Sequence, residues 1–329
     1  MKKAIENFTK QFRYNPKIEN KSSLKKKKQV IILGMGGSHL AADLIVGFNQ
    51  KYNIKVHSDY GLPNFEKKEL AKSLIIASSY SGNTEEVIDG LEKALEQNLN
   101  CAVIATGGKL LEIAKDKNLP YIQMPNDGIQ PRSALGYSLR ALLKLIGMRE
   151  EFKQAGELSA QGGLASGGKL KELENQGKEL AEKLKGSVPV IYSSTRNKAI
   201  AYNWKIKFNE TGKIPAFYNV FPELNHNEMT GYDVKDVTKN LSDKFYFIFL
   251  QDVNDNARNV KRMEILKKLY QDRELPVKII EMAGDNYFVK VFNNLILADW
   301  TAFYIAEQYG LEAEQVPMVE EFKRSMKLE

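Results

Sequence analysis

The stretch Ser78-Ser79-Tyr80-Ser81-Gly82-Asn83-Thr84-Glu85-Glu86 follows an apolar run and precedes a helical pattern. Four of the residues in 78–84 carry Ser or Thr hydroxyls, and no basic residue lies among them. Hydroxyls beside the free N–H groups of a helix N-terminus can bind phosphate without a fixed positive charge. Asn83, with Glu86 three positions on, has the form of a helix N-cap and its box partner. A capped polar turn would account for Asn83 and Glu86 but not for Ser79, Ser81 and Thr84 together. Those three are therefore expected to hold a phosphate. A second turn, Gly34-Met35-Gly36-Gly37-Ser38, also leads from an apolar run into a helix. The backbone of Gly37 and Ser38 could face the same anion, although a turn that needs glycine for positive φ explains the glycines equally well. Neither nucleotide fingerprint is satisfied. His39 stands where G-x-G-x-x-G requires its third glycine, and Gly107-Gly108-Lys109 is followed by Leu110. His226 sits in a polar loop between Asn225 and Asn227, two amides able to fix its tautomer. Imidazole is the side chain suited to reversible proton transfer near neutral pH. His39 could cap a helix and His57 ends a strand, so neither is given a role.

Strands and helices must hold these loops. Short apolar runs at 30–33, 54–57, 74–78, 102–105 and 121–124 alternate with helical patterns at about 38–48, 84–97, 109–117 and 133–145. That alternation predicts a parallel sheet covered on both faces. The segment 161–168 (QGGLASGG) reads as a flexible connection. The pattern then restarts, with strands at 188–192, 245–250 and 277–282 and helices at about 199–208, 256–270 and 289–309. A duplicated α/β unit explains the recurrence.

Composition narrows the class. The 329 residues are about twice the usual single-domain length. At 43% apolar they can build real cores. A single cysteine, Cys101, excludes an intrachain disulfide, and three histidines leave little for a metal cluster, so no metal or other cofactor is expected. The net charge of +7 suggests nucleic acid, but residues 1–28 carry ten basic and two acidic residues. The remainder is close to neutral, where a nucleic-acid enzyme would spread charge along a groove. The leader is read as a solvated tail or first helix. Without an apolar signal region or a membrane-length run, the chain is expected to be cytoplasmic, with no membrane or nucleic-acid partner.

The SYSGNTEE loop after a GMGGS turn resembles the sugar isomerase (SIS) family, whose domains bind phosphosugars. Pro131-Arg132-Ser133-Ala134-Leu135-Gly136, with Asn209-Glu210 and Pro222-Glu223-Leu224-Asn225-His226-Asn227-Glu228, narrows the resemblance to the bifunctional phosphoglucose/phosphomannose isomerases. It covers about 28–326. It implies an α/β fold of two SIS-type three-layer sandwich domains, each with a mainly five-stranded parallel sheet. The boundaries follow as a leader over 1–28, a first domain over 29–150, a linker and helical segment over 151–186, and a second domain over 187–329.

The implied reaction is reversible isomerisation of glucose 6-phosphate to fructose 6-phosphate. Such chemistry needs a base serving C1 and C2, an acid/base that opens the ring, and charge stabilisation for a cis-enediolate. It needs no metal if a cation supplies that stabilisation. The resemblance assigns Glu210 as the base, His226 and Lys323 to ring opening, and Arg132 to the enediolate. It further implies a homodimer, in which His226 could act in cis or be supplied in trans. One departure concerns substrate choice. Bifunctional members carry threonine seven residues before the lysine and conventional glucose phosphate isomerases carry glutamine, whereas this chain has Val316, with Gln315 beside it. Valine leaves room near C2 but removes the hydroxyl, so mannose 6-phosphate as a second substrate stays open. A phosphosugar-sensing regulator would be expected to have a DNA-binding domain ahead of the first strand, where only 28 residues stand. The isomerase part of a glucosamine 6-phosphate synthase would need an N-terminal nucleophilic cysteine, and Cys101 lies on an expected buried strand.

Overall fold

Apolar runs too short for helices form strands here because helices cover both of their faces. The computed structural model describes residues 1–48, 52–159, 164 and 167–326. It divides into two units, one of residues 6–166 and one of residues 1–5 with 167–329.

The first unit begins beyond helix α1 (Lys2–Glu6) with two 3-10 turns, Phe8–Arg13 and Lys21–Ser23. Strand β1 (Gln29–Leu33) leads through the 3-10 turn Gly36–Ser38 into α2 (Leu40–Phe48). There follow β2 (Asn53–His57), α3 (Lys67–Ala71), β3 (Ser73–Ser78), α4 (Glu85–Glu96), β4 (Asn100–Ala105), α5 (Gly108–Asp116) and β5 (Tyr121–Gln123). The 3-10 turn Pro131–Ser133 opens α6 (Leu135–Ile146), and α7 (Arg149–Glu157) closes the unit. All pairings between strands are parallel, in the order β2-β1-β3-β4-β5. Alternate residues face opposite layers. Ile31, Leu33, Ile75, Ala77, Val103 and Ala105 pack under Val87 and Leu91 of α4 and Leu110 of α5, while α2 and α6 pack together and α6 reaches β4. Cys101 is buried on β4, as expected.

The second unit contains α8 (Gly167–Lys183), β6 (Val188–Ser194), the 3-10 turn Thr195–Asn197, α9 (Lys198–Glu210), β7 (Phe217–Phe221) and two further 3-10 turns, Glu223–His226 and Glu228–Tyr232. It continues through α10 (Lys239–Ser242), β8 (Phe245–Asp252), α11 (Ala257–Gln271), β9 (Val277–Met282), α12 (Tyr287–Gln308) and α13 (Pro317–Ser325). Its sheet is four-stranded and parallel, β7-β6-β8-β9. That corrects the expected five strands for this half, among the described residues. The order is the first sheet's order without its last strand, as a duplicated unit requires. Strand β7 was not anticipated: its sequence FYNVF is broken by Asn219, and most of it is only half-buried at the sheet edge. Aromatic residues fill one face, where Tyr192, Phe221, Phe247 and Phe249 meet Met263, Leu266 and Tyr270. α9 and α12 are joined by a buried Lys207–Asp299 ion pair of 2.5 Å.

The basic leader is more than a solvated tail. Ile5, Phe8, Gln11 and Phe12 are buried. Of the proposed connection over 161–168, only Leu164, Gly167 and Gly168 fall inside the described residues. No helix among the described residues is long and apolar enough to cross a membrane.

Candidate active site

In a doubly wound sheet, ligands bind outside the carboxyl ends of the strands where the winding direction reverses. In the first unit that point lies between the neighbouring strands β1 and β3. The glycine turn leaves one and the hydroxyl-rich loop leaves the other. The two are tied together. Ser78 Oγ donates to the Ser38 carbonyl (2.9 Å), and the Tyr80 N–H donates to Ser38 Oγ (3.0 Å).

Within the second loop, Ser79 is almost fully buried. Its Oγ accepts the Gly82 N–H (3.1 Å) and shares a hydrogen bond of 2.8 Å with Thr84 Oγ1. Ser81 is exposed, and its hydroxyl accepts the Asn83 N–H (3.2 Å). Thr84 is the N-cap residue of α4 and makes no side-chain cap bond of its own. Its hydroxyl and the first-turn amides therefore stand at one helix end, where backbone N–H groups lack intrahelical acceptors. Gly82 must be glycine: φ is +74°, and a Cβ would lie 1.8 Å from the Gly107 carbonyl oxygen.

Asn83 does not cap α4, which corrects the sequence expectation. Its Oδ1 accepts from the Lys109 N–H (3.0 Å) in the first turn of α5. The side chain bridges two loops rather than closing its own helix, a choice the local capping pattern could not reveal.

Arg132 is joined to this cradle through its backbone. A Cβ on Gly37 would lie 3.1 Å from the Pro131 carbonyl carbon and 3.2 Å from Arg132 N, so the glycine allows the two turns to touch. The Arg132 side chain is buried, at 2% exposure. Gly37, Ser38, Ser79, Ser81, Thr84 and Arg132 thus form one neighbourhood.

The remaining candidates lie in the second unit. Glu210 is the last residue of α9 and is half-buried. Its backbone carbonyl accepts from Lys213 Nζ (2.6 Å), and the same ammonium donates to the Gln315 carbonyl. Sequence reasoning missed Lys213, which joins the end of α9 to the segment bearing Val316. Val316 itself is the N-cap residue of α13.

His226 ends a 3-10 turn and is exposed. The flanking amides hold the loop instead of the ring. Asn225 Oδ1 accepts from Arg262 (3.3 Å). Asn227 donates to Glu223 (2.8 Å) and accepts from the Glu228 N–H (2.6 Å). Glu228 is anchored by the Tyr192 hydroxyl and the Asn219 amide. Lys323 is exposed on α13 and pairs with Glu320 (2.8 Å). His39 pairs with Asp43 (2.6 Å), and His57 faces the Tyr60 carbonyl (3.2 Å).

Comparison with known proteins adds the chemistry. Residues 173–326 match the family described as the bacterial phospho-glucose isomerase C-terminal SIS domain. A bifunctional phosphoglucose/phosphomannose isomerase of Aquifex aeolicus is 31% identical over 99% of this chain and 98% of its own length. Another, from Caldicellulosiruptor bescii, is 33% identical over 91% of this chain and 89% of its own. Among solved structures, the C-terminal domain of glucosamine-fructose-6-phosphate aminotransferase from Francisella tularensis superposes with a TM-score of 0.68 at 15% identity, covering 96% of each chain. At that identity the likeness speaks to the fold alone.

Proposed function

The chain belongs to the bifunctional phosphoglucose/phosphomannose isomerase family, and from that membership we propose that it interconverts glucose 6-phosphate and fructose 6-phosphate. The observation that carries the reading is the hydroxyl cradle at the β1/β3 switch point, with the Arg132 backbone against its glycine turn. Ser79, Ser81 and Thr84, with the Gly37–Ser38 backbone, hold the phosphate. Because hydroxyls and amides carry that load, the cationic side chains are left for chemistry.

Glu210 takes the C2 proton of the open-chain aldose and returns it to C1 through a cis-enediol, while the O2 hydroxyl proton passes to O1, so that the C1 aldehyde becomes a hydroxyl and C2 a ketone. Arg132 stabilises the negative charge on the enediolate oxygens, worth most in a site where water is excluded. His226 and Lys323 exchange the proton that opens and closes the pyranose ring. Val316 adjoins C2, and mannose 6-phosphate is a second, weaker substrate because the position lacks a hydroxyl. The enzyme acts as a homodimer, and His226, exposed on the single chain, serves the partner's site.

Replacing Glu210 with Gln removes the base and keeps the shape. A coupled assay should show kcat lower by about 10²–10⁴-fold with substrate binding retained. Near-normal turnover by Glu210→Gln would sink the assignment. Running glucose 6-phosphate and mannose 6-phosphate side by side gives the ratio of the two activities.

A further inference from the structure

The second unit repeats the topology of the first, so it has its own switch point, between β6 and β8. The loops there can be compared position by position. Leu33 pairs with Ala77 across β1 and β3, and Ser193 pairs with Leu250 across β6 and β8. Counting on from those pairs, Asp252 stands where the first unit has Ser79, and Asp255 where it has Gly82. The 3-10 turn after the first strand also recurs. It starts one residue nearer its strand in the second unit, where Asn197 ends it four residues beyond Ser193 and Ser38 ends it five beyond Leu33.

The donors of an anion cradle are still present. Ser194 Oγ and Asn197 Nδ2 (3.1 Å) both donate to Asp255 Oδ1, and the Asp252 N–H donates to Asp255 Oδ2 (3.2 Å). A hydroxyl, an amide and a backbone N–H thus converge on one carboxylate, as they would on a phosphate. Asp255 is buried, and the neighbouring Asp252 is neutralised by the buried Lys290 ammonium. Asn197 Oδ1 is buried with no hydrogen-bond partner among the described residues. The other end of the same amide faces the cradle, where Nδ2 also lies 3.3 Å from Ser194 Oγ and 3.4 Å from Asp252 Oδ2.

We propose that the second unit retains a duplicate anion cradle and that the Asp255 carboxylate occupies it as a built-in substitute for phosphate. The native chain then takes phosphate at the first unit alone. Removing the Asp255 side chain should open the second cradle to a free tetrahedral anion.

The experiment is calorimetric titration of the full chain with inorganic phosphate, together with thermal melts in phosphate and in chloride at matched ionic strength. Asp255→Ala should bind one more phosphate per chain than the native protein. It should melt lower in chloride and recover about half or more of that loss in about 50 mM phosphate, since a ligand bound to the folded state raises its stability. Asp255→Asn keeps the cradle filled, so it should gain no phosphate and show no phosphate-specific recovery. Equal recovery of both variants, or an unchanged stoichiometry in folded Asp255→Ala, would overturn the proposal. So would an Asp255→Ala chain that folds in neither buffer while Asp255→Asn folds in both. The added stoichiometry is read as a difference from the native chain. If the first unit's cradle holds no phosphate, the native count falls to zero while the increment at Asp255→Ala stands.

Discussion

Ser79 and Ser81 have the same side chain and different work. The Ser79 hydroxyl is buried and already holds the Gly82 N–H and the Thr84 hydroxyl. Its removal strands a buried donor, which costs about 1–3 kcal/mol. Ser81 is exposed and supports one amide of its own loop. Ser79→Ala should therefore lower the melting temperature and raise KM for glucose 6-phosphate together. Ser81→Ala should raise KM with a melting temperature close to native. Thermal melts and initial-rate kinetics on the two variants check this split. The same distinction separates the two charged ends of the proposed chemistry. Arg132 is buried beside the cradle, whereas Lys323 is on an exposed helix with Glu320.

At the scale of elements, the leader gains a purpose. Gln11 reaches the start of α6, where its Oε1 accepts the N–H groups of Gly136 (2.9 Å) and Tyr137 (3.3 Å). Its Nε2 donates to the Ser133 carbonyl (2.6 Å). A glutamine distant in sequence thereby caps the helix that follows Arg132 and fixes the turn carrying it. Gln11→Ala leaves those buried groups unmet and should cost about 1–3 kcal/mol. A lower kcat beside the lower melting temperature, with KM near native, would mark its effect as reaching Arg132.

The start of α13 offers a second test. Val316 is its N-cap residue and offers no side-chain oxygen. Val316→Thr supplies one, worth about 0.5–2 kcal/mol at a helix N-terminus. Under the proposed function it would also place a hydroxyl next to C2. The ratio of mannose 6-phosphate to glucose 6-phosphate activity should rise severalfold, read from parallel assays, and a rise in stability without a change in ratio would remove Val316 from substrate choice.

At the scale of the molecule, the duplication and the proposed dimer are what matter. If one chain's Glu210 works with the partner's His226, two dead variants can restore each other. Glu210→Gln and His226→Asn, unfolded and refolded together in equal amounts, give about half heterodimers. Each heterodimer has one intact site, so about a quarter of native activity should return. No recovery above the separate variants, with mixed dimers shown by mass spectrometry, would put His226 in cis. The +7 charge belongs to this scale too. It is concentrated in residues 1–28, which are partly buried through Phe8, Gln11 and Phe12, so its excess is on the surface of a segment the fold needs for packing.

The parallel strands, the two loops and the order of the helices were legible in the chain because burial on both faces writes continuous apolar runs such as VIIL at 30–33. Hydroxyl clustering at 78–84 likewise marked the loop that bonds to the Gly36–Ser38 turn, since side-chain hydroxyls that bond within and between neighbouring turns are written in local composition. Other features were not local. Strand β7 exists because β6 offers it an edge. Asn83 reaches α5, and Gln11 caps a helix far along the chain. Lys213 joins the carbonyls of Glu210 and Gln315. Each is a hydrogen bond between segments that only the folded chain brings within about 3 Å. Pattern along a sequence records what a residue prefers to bury or expose, and partners distant in the chain are chosen by packing.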